Sequence, residues 1–245
     1  MRELESVLSF LTILPLKSYE LQEVSKNAFL FPLVGGMIGI LSGIVALLLR
    51  NFLSYTVSGA LTFGFILLFT GLHHTDGLLD FGDGLMIQGN KNAKLKAMHD
   101  KRLGVGGFVL GFLVLLTTFL CISEVLKLED GFIILALISS EALAKFSMNT
   151  LSFFGKSASK GIGSYFLEEM NLKRYIFSLI FTLSISSTLK IFGIFLVIFT
   201  ISFCFFLNWL SNRNFGGVTG DVLGASNEVL RMLVLLIILG KEAIF

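Results

Sequence analysis

Ala28-Phe-Leu-Phe-Pro-Leu-Val-Gly-Gly-Met-Ile-Gly-Ile-Leu-Ser-Gly-Ile-Val-Ala-Leu-Leu-Leu49 contains no charged side chain. A helix of that length measures about 33 Å at 1.5 Å per residue, enough to cross a hydrocarbon core of about 30 Å. The whole chain agrees with this stretch. Its 245 residues are 54% hydrophobic and 15% charged, with 26 Phe and a mean hydropathy of +0.85, whereas a soluble domain carries about 25% charged residues. The apolar runs are continuous and lack the period-2 alternation of a membrane barrel. Helices remain, because lipid offers no partner to an unpaired backbone group. The sequence therefore predicts an all-α, polytopic integral membrane protein with one domain over residues 1–245.

Six further apolar stretches follow: Leu53–Leu72, Gly104–Leu126, Gly131–Phe154, Tyr175–Leu189, Ile191–Leu210 and Asp221–Gly240. Seven spans are expected, with two helices rather than one bent helix around Lys190. Val7–Leu16 is too short to cross and reads as interfacial or re-entrant. Gly35, Gly39 and Gly43 have small-xxx-small spacing, which lets another helix approach closely. Lys and Arg number thirteen in the loops on the N-terminal side and four on the other. That bias places the N-terminus in the cytoplasm. No cleavable leader is expected. Cys121 and Cys204 lie in apolar runs and read as core residues, and a net charge of +2 gives no reason to expect nucleic acid.

Beyond the second span comes Thr70-Gly-Leu-His-His-Thr-Asp-Gly-Leu-Leu-Asp-Phe-Gly-Asp-Gly84. On a helix, Asp76, Asp80 and Asp83 are spaced i, i+4 and i+7 and share one face. Three like charges there call for a cation, and hard oxygen ligands suit Mg2+. A solvated acidic turn is the plainer alternative. Gly216-Gly-Val-Thr-Gly-Asp221 opens the last span, and Asp221 and Glu228 share a face. Glu228 either adds another oxygen ligand or pairs with Arg231 three residues on. Arg102, beside the glycine-rich entry Gly104–Gly107, suits bidentate binding of phosphate. Acids, glycines and a few cations at span ends point to Mg2+-dependent phosphoryl chemistry. Another membrane transferase for diphosphates, of CDP-alcohol phosphotransferase or UbiA type, is the nearest rival, and a cation or proton transporter is the non-enzyme rival. A transporter expects acids near the midplane, and these cluster at span ends.

Five stretches in order resemble the cobalamin synthase family. Phe10-Leu-Thr-Ile-Leu-Pro15 resembles its F-x-T-x-L-P opening, and Phe31-Pro-Leu-Val-Gly35 is similar to its F-P-L-V-G. His74-Thr-Asp-Gly-Leu-Leu-Asp-Phe-Gly-Asp-Gly-Leu85 resembles H-L-D-G-L-A-D-T-A-D-G-L. Met98-His-Asp-Lys-Arg-Leu-Gly104 resembles M-K-D-S-R-x-G, and Gly216–Ala225 resembles G-G-x-T-G-D-x-L-G-A. His99 stands where the pattern has Lys, and Leu72 where it has Gly. The resemblance implies a transferase that joins adenosylcobinamide-GDP to α-ribazole or its 5′-phosphate and releases GMP. It implies Mg2+ held by Asp76, Asp80 and Asp83, with one of these three available as base, and Arg102 and Asp221 helping to hold the diphosphate and its metal. His74, Asp100, Arg102, Gly217, Thr219 and Asp221 are the implied substrate-binding residues. The implied setting is a cell membrane with the site facing the cytoplasm; partners are small molecules and the bilayer, and oligomeric state is open, a homo-oligomer included.

Overall fold

A computed structural model describes residues 2–244. Among them are twelve α-helices: α1 (Arg2–Leu11), α2 (Leu21–Lys26), α3 (Phe31–Arg50), α4 (Tyr55–Phe69), α5 (His73–Met86), α6 (Lys91–Met98), α7 (Val105–Val125), α8 (Asp130–Phe154), α9 (Ile162–Glu169), α10 (Leu172–Ser186), α11 (Ile191–Asn214) and α12 (Gly220–Ile244). The only β-type pairing among these residues is one isolated parallel bridge, Ser157 to Val218. The all-α, multi-pass reading holds.

Among the described residues, length and composition alone single out fewer spans than the seven expected. Five helices are long and apolar enough to cross a membrane: α3 with its lead-in (Ala28–Arg50), α7, α8, α11 and α12 up to Glu242. The 15-residue α4 reaches span length only together with α5, which meets it at 92°. Counting that pair as one broken span gives six. The break has a local cause. Gly71 and Leu72 take φ of 73° and 64°, left-handed values that cannot continue a right-handed helix. Helix α5 packs on the opening turns of α7 and α12, with Gly82 against Gly106 and Gly107 and Gly77 against Asp221. Helix α10 also stops short, at 15 residues. A 3-10 turn and Lys190, with φ of 57°, follow it. Gly193 then packs against the Ser186 carbonyl, which a continuous helix would hold about 10 Å away. The chain therefore reverses at Lys190, and α10 and α11 are separate helices, as the sequence leads one to expect.

Helix α8 is the axis of the bundle. Every residue from Ser139 to Ser152 is buried, as expected of a helix surrounded on all sides. The α3 glycines make one of its contacts. A Cβ on Gly35 would lie 2.5 Å from the Glu141 carbonyl oxygen, and one on Gly39 would run into the Ile138 backbone. Helix α12 packs on another side of α8 through buried charge. Arg231 binds Glu141, with Nε 2.5 Å from Oε1, and also binds Glu228. Lys145 donates to Asn227 Oδ1 at 2.7 Å and lies 3.8 Å from Glu141. Two cations and two anions thus neutralise each other where no water reaches. Glu228 belongs to this network and is not a free oxygen ligand. Both cysteines are free and buried.

The α3–α8 contact predicts the outcome of a substitution. Gly39→Ile should force the helices apart and cost about 1–3 kcal/mol or more, read as a lower melting temperature in detergent. Gly64→Ala, which has nothing within 4 Å of the added Cβ, should leave the melt unchanged.

Candidate active site

The site forms where α5 crosses α12. A Cβ on Gly77 would lie 3.1 Å from Asp221 Cα and 3.3 Å from Gly224 Cα, and one on Gly224 would lie 3.2 Å from His74 Cα. Glycine thus faces glycine, and the two backbones touch. This contact sets Asp221, in the first turn of α12, beside the acidic face of α5. Thr219 fixes the start of α12: its Oγ1 accepts from Val222 N at 3.2 Å and lies 3.3 Å from Asp221 Oδ2.

The crossing borders a cavity of about 540 Å3 whose lining includes Asp76, Asp221, His73, His74, His99 and Thr219. His99 Nε2 stands 4.0 Å from Asp221 Oδ2. Asp80 sits between the acids and is half-buried. Burial, and then the charges of Asp221, Asp76 and Asp83, push its carboxyl up to about 6. Helix α5 begins at His73, so its carboxylates do share a face as their spacing predicts. His74 leaves that face and is buried, 6% exposed. Its Nδ1 has no hydrogen-bond partner. Burial first, and then the Lys145 and Arg231 charges, hold it well below the ordinary histidine value.

Other sequence-derived candidates go elsewhere. Asp83 turns towards α7 and accepts from Gly104 N and Gly107 N, both at 2.7 Å. It caps that helix from outside, satisfying N–H groups that have no intrahelical acceptor. Asp76, Asp80, Asp83 and Asp221 accordingly do not converge as one ligand set. Among the described residues, no three His, Cys, Asp or Glu side chains are grouped closely enough to hold a metal ion by themselves. Arg102 is also displaced from the acids. Its guanidinium pairs with Asp100 at 3.1 Å in an exposed bridge. Both residues line a second cavity of about 800 Å3, which Asp83 borders from α5. The His99–Arg102 turn therefore sends His99 to one cavity and Arg102 to the other. Gly217 lines neither; a Cβ there would strike the backbone of Lys156–Ala158, so its role is loop packing.

Sequence reasoning missed another part of the lining of the smaller cavity. Ser159, Lys160, Gly161, Ile162, Gly163 and Ser164 come from the loop before α9 and its first turn. That loop is tied to the one preceding α12. Val218 N donates to Lys156 O at 2.7 Å, and Ala158 N donates to Val218 O at 3.0 Å. Lysines 156 and 160 were visible in the sequence only as orienting charge. The glycines around Lys160 were the one available signal of a built loop.

Known proteins resemble this chain over nearly its full length. The family model described as cobalamin-5-phosphate synthase matches residues 3–239. The adenosylcobinamide-GDP ribazoletransferase of Methanococcoides burtonii is 35% identical, covering 96% of this chain and 90% of its own length. The protein of the same name from Klebsiella pneumoniae subsp. pneumoniae is 30% identical, covering 96% of this chain and 98% of its own length. That from Archaeoglobus fulgidus is 32% identical, covering 92% of both chains. No solved structure matches.

The raised Asp80 value has a pH consequence. The folded state takes up this proton more readily than the unfolded chain, so acidification favours folding at this position. That contribution is complete below the ordinary carboxylate range and is lost as pH rises through about 6,. In chelator, wild-type protein should gain a few degrees of melting temperature between pH 7 and pH 5. Asp80→Asn should reduce that gain and melt higher than wild type at pH 7.

Proposed function

The chain belongs to the cobalamin-5-phosphate synthase family, and from that membership we propose how it acts as an adenosylcobinamide-GDP ribazoletransferase. It catalyses the nucleotide-loop assembly step of cobalamin biosynthesis. A hydroxyl oxygen of α-ribazole, or of its 5′-phosphate, forms a new bond to the phosphorus attached to cobinamide. The bond from that phosphorus to the bridging oxygen breaks, and GMP leaves with the electron pair. The hydroxyl proton passes to a base. The observation that carries the site assignment is the α5–α12 crossing, which puts Asp76 and Asp221 on one cavity within reach of two loops.

The donor set suits a hard divalent cation. Asp76 and Asp221 are oxygen donors on one cavity, and the mutual repulsion felt by Asp80 is what such a cation would relieve. Mg2+ is the ion we assign, with Asp76 and Asp221 as its principal ligands and Asp80 beside them. With too few protein ligands to enclose it, it would keep several waters and bind substrate phosphate oxygens, as Mg2+ ordinarily does. When bound it would neutralise charge developing on the leaving phosphate. Asp80, whose carboxyl is held near 6, is suited to accept the hydroxyl proton near neutral pH. Thr219 Oγ1, 3.3 Å from Asp221 Oδ2, is the side chain placed to orient that carboxylate. The thirteen-to-four bias of Lys and Arg supports a cytoplasmic site in a cell membrane, the compartment that holds nucleotides.

Activity and stability should separate cleanly between two of the acids. Asp76→Asn should lower GMP release from adenosylcobinamide-GDP and α-ribazole by roughly 100-fold or more, with an unchanged melt. Asp83→Ala should cost about 1 kcal/mol through the lost cap and lower the melting temperature. Wild-type GMP release by the Asp76 variant would remove that residue from the chemistry.

A further inference from the structure

The acid-lined cavity has an aromatic border that the roles above leave unused. Phe10, from the last turn of α1, lines it and is partly exposed. Ile162, the first residue of α9, lines it too and is 61% exposed. Phe166, one turn further along α9, is buried, and its ring centroid lies 5.3 Å from that of Phe10. Phe31, at the start of α3 and also buried, stacks on Phe10 at 6.1 Å and lies 5.6 Å from Phe166. Three rings from three helices thus support one another, and of the three only Phe10 keeps surface open to a ligand.

Backbone contacts fix this cluster relative to the acids. Ile13 N donates to Phe69 O at 2.9 Å, tying the exit of α1 to the end of α4. A Cβ on Gly71, in the bend that precedes α5, would come 3.3 Å from Ile13 Cγ2. At α9, a Cβ on Gly163 would come 2.5 Å from the nitrogen of Gly220, the residue before Asp221. The aromatic cluster, Asp76 and Asp221 are therefore parts of one built cavity of about 540 Å3. Small-molecule seats are ordinarily cavities of about 300–1,000 Å3 with apolar lining and a few polar groups. A nucleoside has two matching halves: a planar base for Phe10 and a hydroxylated sugar for the acids.

In-line displacement puts the entering hydroxyl and the departing GMP on opposite sides of phosphorus, so a base seated here belongs to one of them. Guanine has a carbonyl and N–H groups on its edge, and burying these unpaired is costly. The Ser9 and Ser164 hydroxyls, which also line the cavity, already donate to the Ser6 and Gly161 carbonyls at 2.9 and 2.8 Å. The benzimidazole of α-ribazole has no N–H and offers an apolar ring to Phe10 and Ile162. We propose that Phe10, supported by Phe31 and Phe166 and joined by Ile162, seats the benzimidazole of α-ribazole and determines specificity for the acceptor. The proposal rests on the transferase reading above.

The test is steady-state GMP release by full-length protein in detergent, comparing wild type, F10A, F10L and F10Y. F10A should raise KM for α-ribazole about 10-fold or more, the loss ordinarily seen when a stacked base loses its aromatic partner. KM for adenosylcobinamide-GDP should stay unchanged, a split between substrates that a merely structural role would not produce. F10Y should keep most of the affinity, and F10L should fall between F10Y and F10A. Where F10A melts early, F10L and I162A read the same seat, I162A through a smaller rise in KM for α-ribazole. An unchanged KM for α-ribazole, equal rises for both substrates, or a rise confined to adenosylcobinamide-GDP overturns the proposal. Calorimetric titration of α-ribazole into the same proteins reads the seat without turnover. Should wild type release no GMP, the transferase reading fails, and the titration still decides the seat: weaker binding by F10L than by wild type supports it, and equal binding or none sinks it.

Discussion

Gly77 and Gly224 meet backbone to backbone, and the candidate site depends on that contact. A side chain at either position would hold α5 and α12 apart and move Asp221 away from the acidic face of α5. The contact is short because neither residue has a Cβ. What it joins is distant in sequence: Asp76 in the first turn of α5 and Asp221 in the first turn of α12.

The crossing needs support from below, which the buried charges provide. Arg231, Glu228 and Asn227 from α12 engage Glu141 and Lys145 from α8. Replacing such a network by apolar groups can be neutral or stabilising, yet removing one member strands its partner's charge and costs about 3–5 kcal/mol. The network therefore fixes how α12 sits on α8 more than it adds stability. Helix α3 closes on α8 through glycines, so α8 has apolar close packing on one side and ionic pairing on another. Helix α5 then packs on this assembly with Asp76 lining the cavity and Asp83 turned to α7.

Features that depend on local pattern were legible in the sequence. The charge-free run Ala28–Leu49, the glycine spacing on α3, and the helical face carrying Asp76, Asp80 and Asp83 each involve residues close in the chain. The bend before α5 was hidden because Leu72, not glycine, takes one of the left-handed positions. The capping role of Asp83 was hidden because it depends on α7 starting beside residue 83, a tertiary fact. Spacing favoured Arg102, next to a glycine-rich helix entry. Yet three residues of turn carry it from the cavity of His99 to the neighbouring one. Lys160 carried no motif of its own; its place follows from how two loops pair. The four implied acids thus divide by neighbour: three around the crossing and one on α7.

The most direct test of the central claim separates the crossing from its ligands. Mn2+ binding, read by electron paramagnetic resonance on purified protein in detergent, should be lost or greatly weakened in Gly224→Val. That variant removes no carboxylate and leaves the buried charges of α8 and α12 in place. The account predicts loss of the bound-ion signal together with loss of GMP release, in protein that remains monodisperse. A Gly224→Val protein that binds Mn2+ and releases GMP as wild type does would contradict it.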